Sequence, residues 1–412
     1  MSVKAVSCEL APVQERFFSG PPEEWNEPAY NIHFALALAS PLSRKEISDS
    51  VRELCVQNPV LMTRIDLDGK TVRQVQDARL SSLFEFCEYP IEIETTNQKV
   101  RYLSRIVANY RFDMCTSLFK CLIFSDVKND IQHFVFLVHH SIFDGGSIGI
   151  LKEEFERIFI LKRENTYESS TFEYTTYVQA QSTDKAQSIQ LRGLEFWKEV
   201  LQGIPAFYWK QKEELWNYSG KRINFFCDNA EIVRQKNRSS TTFVSSFVAF
   251  HEALATITGK TDIAIGVPVS LRPLGFERTI GMFANIIPIR ASPSTGQHDF
   301  HSMKVAIWDA LDHRETPLDK ILKEFPSYCE NNTQSIFGSM LTFMKISTAK
   351  TLHFKNLPLT PNTTSFDLTL YASECSERMH FQLDYAPNRI SEKDAAMISE
   401  LFLNRMSATS TY

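Results

Sequence analysis

The chain has no uninterrupted apolar run of the roughly 18–20 residues needed for a membrane-spanning helix, which excludes a helical span. Its N-terminus, Met-Ser-Val-Lys-Ala-Val-Ser-Cys, lacks the apolar core of a secretory signal, so a cytoplasmic location is expected. The eight cysteines (8, 55, 87, 115, 121, 227, 329 and 375) include no Cys-x-x-Cys pair. That spacing speaks against a zinc ribbon or a disulfide framework, and predicts free thiols and no metal site. There is no excess of positive charge: 44 Lys and Arg against 49 Asp and Glu leave a net charge of −5. A sequence-independent nucleic-acid binder is therefore not expected. No low-complexity tract and no short repeating period is present, which excludes a solenoid.

What is there is ordinary soluble-protein composition, 43% hydrophobic and 23% charged. With 412 residues the chain is long enough for two domains of about 200 residues each. The 31 phenylalanines read chiefly as core filling. Strand-like and helix-like segments alternate. Tyr30–Ala39 reads as a strand, and Ser43–Asn58 as a helix with Ile47, Val51, Leu54 and Cys55 on one face. Asp68-Gly69 marks a hairpin turn. Thr241–Gly259 reads as a long helix closed by glycine. Polar residues replace periodicity over Lys162–Ser170, which predicts an N-terminal lobe over 1–168 and a C-terminal lobe over 169–412. Trp197, Trp216 and Trp308 are expected in cores.

The most informative stretch is Phe134–Ile150. Five apolar residues, Phe134 to Val138, predict a buried strand that delivers His139 and His140 at its end. Strand side chains alternate between faces, so the two imidazoles point opposite ways. Asp144, Gly145 and Gly146 follow as a turn, and a helix is expected from Ile148 to Leu161. A histidine at a strand end beside an acid and two glycines is a plausible general-base site.

Other motifs lie in order around this one. They are Ala11-Pro-Val-Gln-Glu-Arg16, Phe112-Asp-Met-Cys-Thr-Ser-Leu118, and His139-His140-Ser-Ile-Phe-Asp144-Gly145-Gly-Ser147. Further on come Ile265-Gly-Val-Pro-Val-Ser-Leu-Arg272, Ile280-Gly-Met-Phe-Ala-Asn285-Ile-Ile-Pro-Ile-Arg290 and Ser365-Phe-Asp-Leu-Thr369. Together they resemble the condensation domains of nonribosomal peptide synthetases, within the superfamily of chloramphenicol acetyltransferase and carrier-protein-dependent acyltransferases. Two positions depart from the family's habit: Ser117 stands where proline is usual, and Gly146 where tryptophan is common. Heterocyclisation domains replace the histidine pair with aspartate, and epimerisation domains usually continue Ser-Trp-Arg. This chain keeps both histidines and continues Ser147-Ile148-Gly149.

The resemblance implies an α/β fold of two chloramphenicol-acetyltransferase-like lobes in a V-shaped pseudo-dimer, with an active-site tunnel between them. It assigns catalysis to His140 and makes His139 structural. Asp144 is then a buried anion bridged to Arg272, since a buried charge needs a partner. Gly145 lets backbone approach the thioester and offers its N–H to the oxyanion. Ser147 contributes a hydrogen bond or a helix cap. Asn285, an amide in an apolar strand, either bonds across the cleft near His140 or braces neighbouring strands.

The implied function is a free-standing condensation enzyme that joins a carrier-bound acyl or peptidyl thioester to an amine. O-acylation of an alcohol, and a non-catalytic module recruiting carrier proteins, are the alternatives. No bound cofactor is implied; the donor rides on the phosphopantetheine of an acyl or peptidyl carrier protein, or on coenzyme A. The acceptor is a small amine or alcohol, free or on a second carrier protein. A monomer is expected, without nucleic-acid or membrane partners.

Overall fold

The computed structural model describes residues 6–407 except 40, 69–70, 78, 127, 129, 160–172, 206–208, 210–217, 229–240, 292–299, 327–335, 346–352, 361 and 375–377. The first elements are β1 (Val6–Cys8), β2 (Asn31–Ala39), α1 (Arg44–Gln57), β3 (Thr63–Asp68), β4 (Thr71–Gln76) and α2 (Leu80–Leu83). Then come β5 (Phe84–Cys87), α3 (Thr96–Asn109), β6 (Phe119–Asp126), β7 (Ile131–His139), α4 (Gly145–Phe159) and α5 (Tyr174–Gln181). The chain continues through α6 (Asp184–Leu201), β8 (Lys221–Asp228), α7 (Thr242–Thr258), β9 (Ile263–Ser270), β10 (Ala284–Ala291) and α8 (Phe300–Asp312). It ends with α9 (Leu318–Lys323), β11 (Ser339–Lys345), β12 (Phe354–Leu357), β13 (Leu368–Glu374), β14 (Arg378–Tyr385) and α10 (Glu392–Ser407).

These elements form a mixed α/β structure of two compact units that are interleaved in sequence. The first comprises Met1–Gln187, Arg272–Ala284 and Thr348–Pro361. The second comprises Ser188–Leu271, Asn285–Ser347 and Asn362–Tyr412. The expected boundary at 168/169 lies outside the described residues, as do the hairpin turn at Gly69 and Trp216. The expected pair of continuous lobes differs from the structure in that two short segments from the second half pack with the first unit.

The first unit is built on a five-stranded sheet of order β12-β2-β7-β6-β5, with β7 in the middle. β7 pairs antiparallel with β2 (Asn31↔His139 to Ala39↔Ile131) and with β6 (Phe119↔Val138 to Asp126↔Ile131). Central position explains its composition: a strand covered on both faces is apolar on both. Phe134 and Phe136 meet Phe155 of α4 at ring distances of 5.0 and 4.9 Å, so α4 covers the face of the even-numbered residues. Alternation then sends His139 to the opposite face. α1 starts in a capping box, with Ser43 accepting from the Glu46 N–H and the Glu46 carboxylate accepting from the Ser43 N–H. It buries Ile47, Val51, Leu54 and Cys55. A small sheet, β1-β4-β3, completes the unit.

The second unit holds a six-stranded sheet of order β10-β9-β11-β13-β14-β8. α7 is capped by Thr241 and stopped by Gly259 at φ +70°, a left-handed conformation that glycine adopts without strain. Its core gathers Trp197, Phe247, Phe250, Leu254, Phe381 and Phe402. Trp308 differs from expectation. It is 50% exposed, because it falls on the outer face of α8 while Met303 and Ile307 face inward.

Candidate active site

His139 closes β7 and is completely buried. Its ring lies among Phe17, Phe18, Tyr30 and Phe112, with centroids 5.8–6.5 Å away. Both ring nitrogens are engaged. The Ser141 N–H donates to Nδ1 (3.3 Å), so the proton sits on Nε2, which donates to the Trp25 carbonyl at 2.8 Å. The Ser141 hydroxyl also lies 2.8 Å from Nδ1. Burial dominates the electrostatics and pulls His139 down to about 3 from the ordinary 6.5. The ring is a fixed neutral strut.

His140 opens a short 3-10 turn, His140–Ile142, and is only half-buried. Its Nδ1 is buried and makes no hydrogen bond of acceptable geometry among the described residues. Enclosure of the ring is the largest influence and the positive charge of Arg16 adds to it, pulling His140 down to about 4; backbone groups of His140 and Phe143 pull weakly upward. The imidazole is therefore neutral at any pH near 7, the form in which it accepts a proton. Phe17 packs on it at 5.3 Å.

Asp144 is 3% exposed and is surrounded by donors. Its Oδ1 accepts from the Ser147 N–H and hydroxyl, both at 2.8 Å, as an N-cap of α4 does. Oδ2 accepts from the Phe283 N–H at 3.0 Å. Arg272 Nη2 lies 3.1 and 3.3 Å from the two oxygens. Arg272 also donates to the Phe276 carbonyl (3.1 Å) and to that of Thr279, and stacks over Phe283 at 4.0 Å. The wholly buried Ser147 hydroxyl, its one proton directed at Asp144, lies 3.0 Å from the Gly281 carbonyl and accepts from the Gly281 N–H at 3.2 Å. The 272–284 segment is thus stitched to the start of α4, and the carboxylate is spent on that stitching.

Gly145 is exposed at the first turn of α4, and a Cβ added there would meet nothing within 4 Å. Capped by Asp144, the helix starts three residues earlier than expected. Asn285 fits neither expectation. Its amide donates to the carbonyls of Arg314 (2.8 Å) and Thr316 (2.7 Å), and its oxygen accepts from the Leu318 N–H at 3.2 Å. The physical reason is local: the chain leaving α8 presents orphan carbonyls, and a buried amide satisfies them.

Sequence reasoning placed Gln14 and Arg16 in a motif and gave them no role. Gln14 is fully buried in the turn before Glu15–Phe17. It donates to the Ser141 carbonyl at 2.7 Å and accepts from the Ala11 N–H at 2.7 Å. Trp25, the partner of His139, was not anticipated. The available signal was a glutamine inside the apolar Leu10–Phe18 stretch. No group of three or more His, Cys, Asp or Glu among the described residues is arranged to hold a metal ion. No described helix is long and apolar enough to cross a membrane.

The fold is that of condensation domains. The condensation domain of the monacolin K polyketide synthase MokA superposes with a TM-score of 0.80 at 14% identity, covering 98% of this chain and 97% of that one. The starter condensation domain of rhizomide synthetase RzmA, solved as a variant with C8-CoA and Leu-SNAC, gives 0.78 at 13% identity, covering 97% and 94%. The Condensation domain family model matches residues 5–411, so the chain belongs to the condensation-domain family, whose members are acyl-transferring enzymes. Surfactin synthase subunit 1 of Bacillus subtilis (strain 168) is 25% identical over 379 residues, 87% of this chain and 10% of that protein. The chain therefore spans about a tenth of the length of that curated relative.

Proposed function

We propose that the protein condenses an acyl or peptidyl thioester, carried on the phosphopantetheine of a carrier protein, with an amine, as part of nonribosomal peptide assembly. The amine nitrogen attacks the thioester carbonyl, a C–N bond forms, the C–S bond breaks, and one proton passes from nitrogen to the departing sulfur. His140 is the group that moves this proton. An imidazole held neutral with a low pKa is a weak base, but the nitrogen becomes strongly acidic once it has added to the carbonyl, so a weak neutral base suffices. Gly145 leaves room for the thioester beside the positive end of the α4 dipole, which favours a developing oxyanion. Asp144 and Arg272 hold the turn and take no part in the proton transfer.

The observation that carries this reading is the contrast between the two adjacent histidines: His139 is wholly buried with both nitrogens tied, whereas His140 is neutral, only partly buried, and makes no hydrogen bond of acceptable geometry through Nδ1 among the described residues. Family membership supports the reaction class. The test is incubation with acyl-loaded carrier protein and a panel of amines and alcohols, with products weighed by mass spectrometry. Amide products are expected. Ester products alone would reassign the enzyme to alcohol acylation, and carrier binding without turnover would make it a recruitment module.

A further inference from the structure

In the second unit, opposite charges line one hollow without pairing. The hollow, about 230 Å³, lies between α6 and the turn that joins α8 to α9. Its floor is tightly built. Gly193 lets α6 approach so closely that an added Cβ would lie 2.1 Å from the Thr316 hydroxyl oxygen. That hydroxyl donates to the Gln190 carbonyl at 3.2 Å, and the Trp197 indole N–H donates to the His313 carbonyl at 3.2 Å. Asn285 holds the carbonyls of Arg314 and Thr316. The His313 ring stacks on Phe196 at 3.8 Å, the planes 7° apart, and its Nδ1 donates to the Asp309 carbonyl at 2.8 Å. Nε2 is thereby left as the acceptor of the neutral ring.

The walls carry Arg192 on α6, Asp312 at the end of α8, and Glu315 just beyond it. None of these side chains makes a hydrogen bond or ion pair among the described residues. A carboxylate at the C-terminal end of a helix opposes the helix dipole, and the last turn of α8 holds no basic residue to offset Asp312. We infer that the hollow is a binding site for a free α-amino acid, taken as the zwitterion. Arg192 grips the carboxylate, and Asp312, Glu315 and Nε2 of His313 accept from the ammonium group. The volume sets the size, below that of pockets for drug-sized ligands. The charges set the class. A simple anion would meet two carboxylates and a simple cation a guanidinium, whereas a ligand with both charges satisfies every wall. A guanidinium also matches a carboxylate in bidentate geometry. Ile189 gives the ligand side chain an apolar surface. Binding there does not depend on the proposed role of His140, which belongs to the first unit.

The test is an NMR titration of the protein with L-alanine and L-lysine, followed through the amide resonances of Gly193 and Thr316, which report on the hollow itself. Acetate and methylammonium, each with a single charge, are the comparison ligands. Saturable shifts are expected with both amino acids, and binding at least about tenfold weaker with either single-charge ligand. R192Q, and separately D312N/E315Q, should raise the amino-acid Kd by about tenfold or more, the scale of one lost hydrogen bond between charged groups. R192K keeps the charge and should bind more tightly than R192Q. No saturable shift with either amino acid, acetate binding as tightly as L-alanine, or an unaltered Kd in the neutral variants would overturn the assignment. Should those variants fail to fold, the wild-type comparison of L-alanine with acetate and methylammonium decides.

Discussion

Gln14 and Ser141, 127 residues apart, are joined by a 2.7 Å hydrogen bond from the glutamine amide to the serine carbonyl. The bond ties the opening turn to the backbone immediately beyond His140. Q14A leaves that carbonyl and the Ala11 N–H unpaired in a dry site. A loss of about 1–3 kcal/mol in chemical denaturation is expected, together with reduced kcat. Unchanged stability would show that water replaces the amide.

Removal of Arg272 strands the Asp144 carboxylate in the interior. R272A is expected to cost about 3–5 kcal/mol, read as a lowered urea midpoint. D144N keeps the shape and the N-cap oxygen but removes the charge, and should mainly reduce stability or yield. A well-folded D144N protein with no activity would instead assign the carboxylate to the chemistry.

H140A is expected to lower kcat by roughly 10²–10⁴-fold while changing the denaturation midpoint less than H139A does, because the ring is only partly buried and its Nδ1 makes no bond of acceptable geometry to lose. H139A should do the reverse in emphasis, since it breaks the bond to the Trp25 carbonyl. Calorimetry on both variants separates them.

Acid should weaken the fold through the histidine pair. Burial pulls His139 to about 3 and His140 to about 4, against 6.5 in an open chain. Between pH 6.5 and those values the unfolded chain binds more protons than the folded one. Stability from the neutral rings is therefore fully present above pH 6.5 and is lost as pH falls, by up to about 1.4 kcal/mol per pH unit for the fully buried His139 ring and by less for the partly exposed His140 ring. Denaturation midpoints measured from pH 7 to 4 should fall, and H139Q should flatten the slope. An unchanged slope in that variant would mean that His139 titrates normally.

Asn285 offers a clean separation of brace from chemistry. N285A leaves the Arg314 and Thr316 carbonyls and the Leu318 N–H without their partner, for an expected loss of about 1–3 kcal/mol with kcat retained. A fall in kcat at unchanged stability would place its amide in the reaction instead.

Much of this was legible in the order of residues, and the reasons differ from element to element. β7 was visible because a central strand must be apolar on both faces, and α7 because its long helical face ends on a glycine. Strand alternation accounts for His139 facing away from α4, but not for His140, which lies beyond the strand in the 3-10 turn. Pairings far apart in sequence were not legible locally: nothing near His139 names Trp25, and nothing near Asp144 names Arg272 except the resemblance of the whole motif set to a family. β8 and β12 escaped notice. β12 has only four residues, and two of them, Lys355 and Asn356, are exposed at the sheet edge. Asn285 was recognised as an amide needing partners, but the partners were set by where α8 ends in space. Glycine at 145 and 146 looked like a loop because glycine is poor helix material, yet the Asp144 cap starts the helix there.

Synthesis order gives the interleaving of the two units a cost of its own. β2 forms an edge of its sheet until β12 pairs with it, Leu38 opposite Phe354 and Ala35 opposite Leu357. The ribosome must therefore add more than three hundred residues after β2 before that edge is covered. Through that interval the nascent first unit presents an unpaired strand, a template for pairing with another chain. Fragments that stop before Phe354 should inherit that stickiness, and supplying the 348–361 peptide in trans should relieve it.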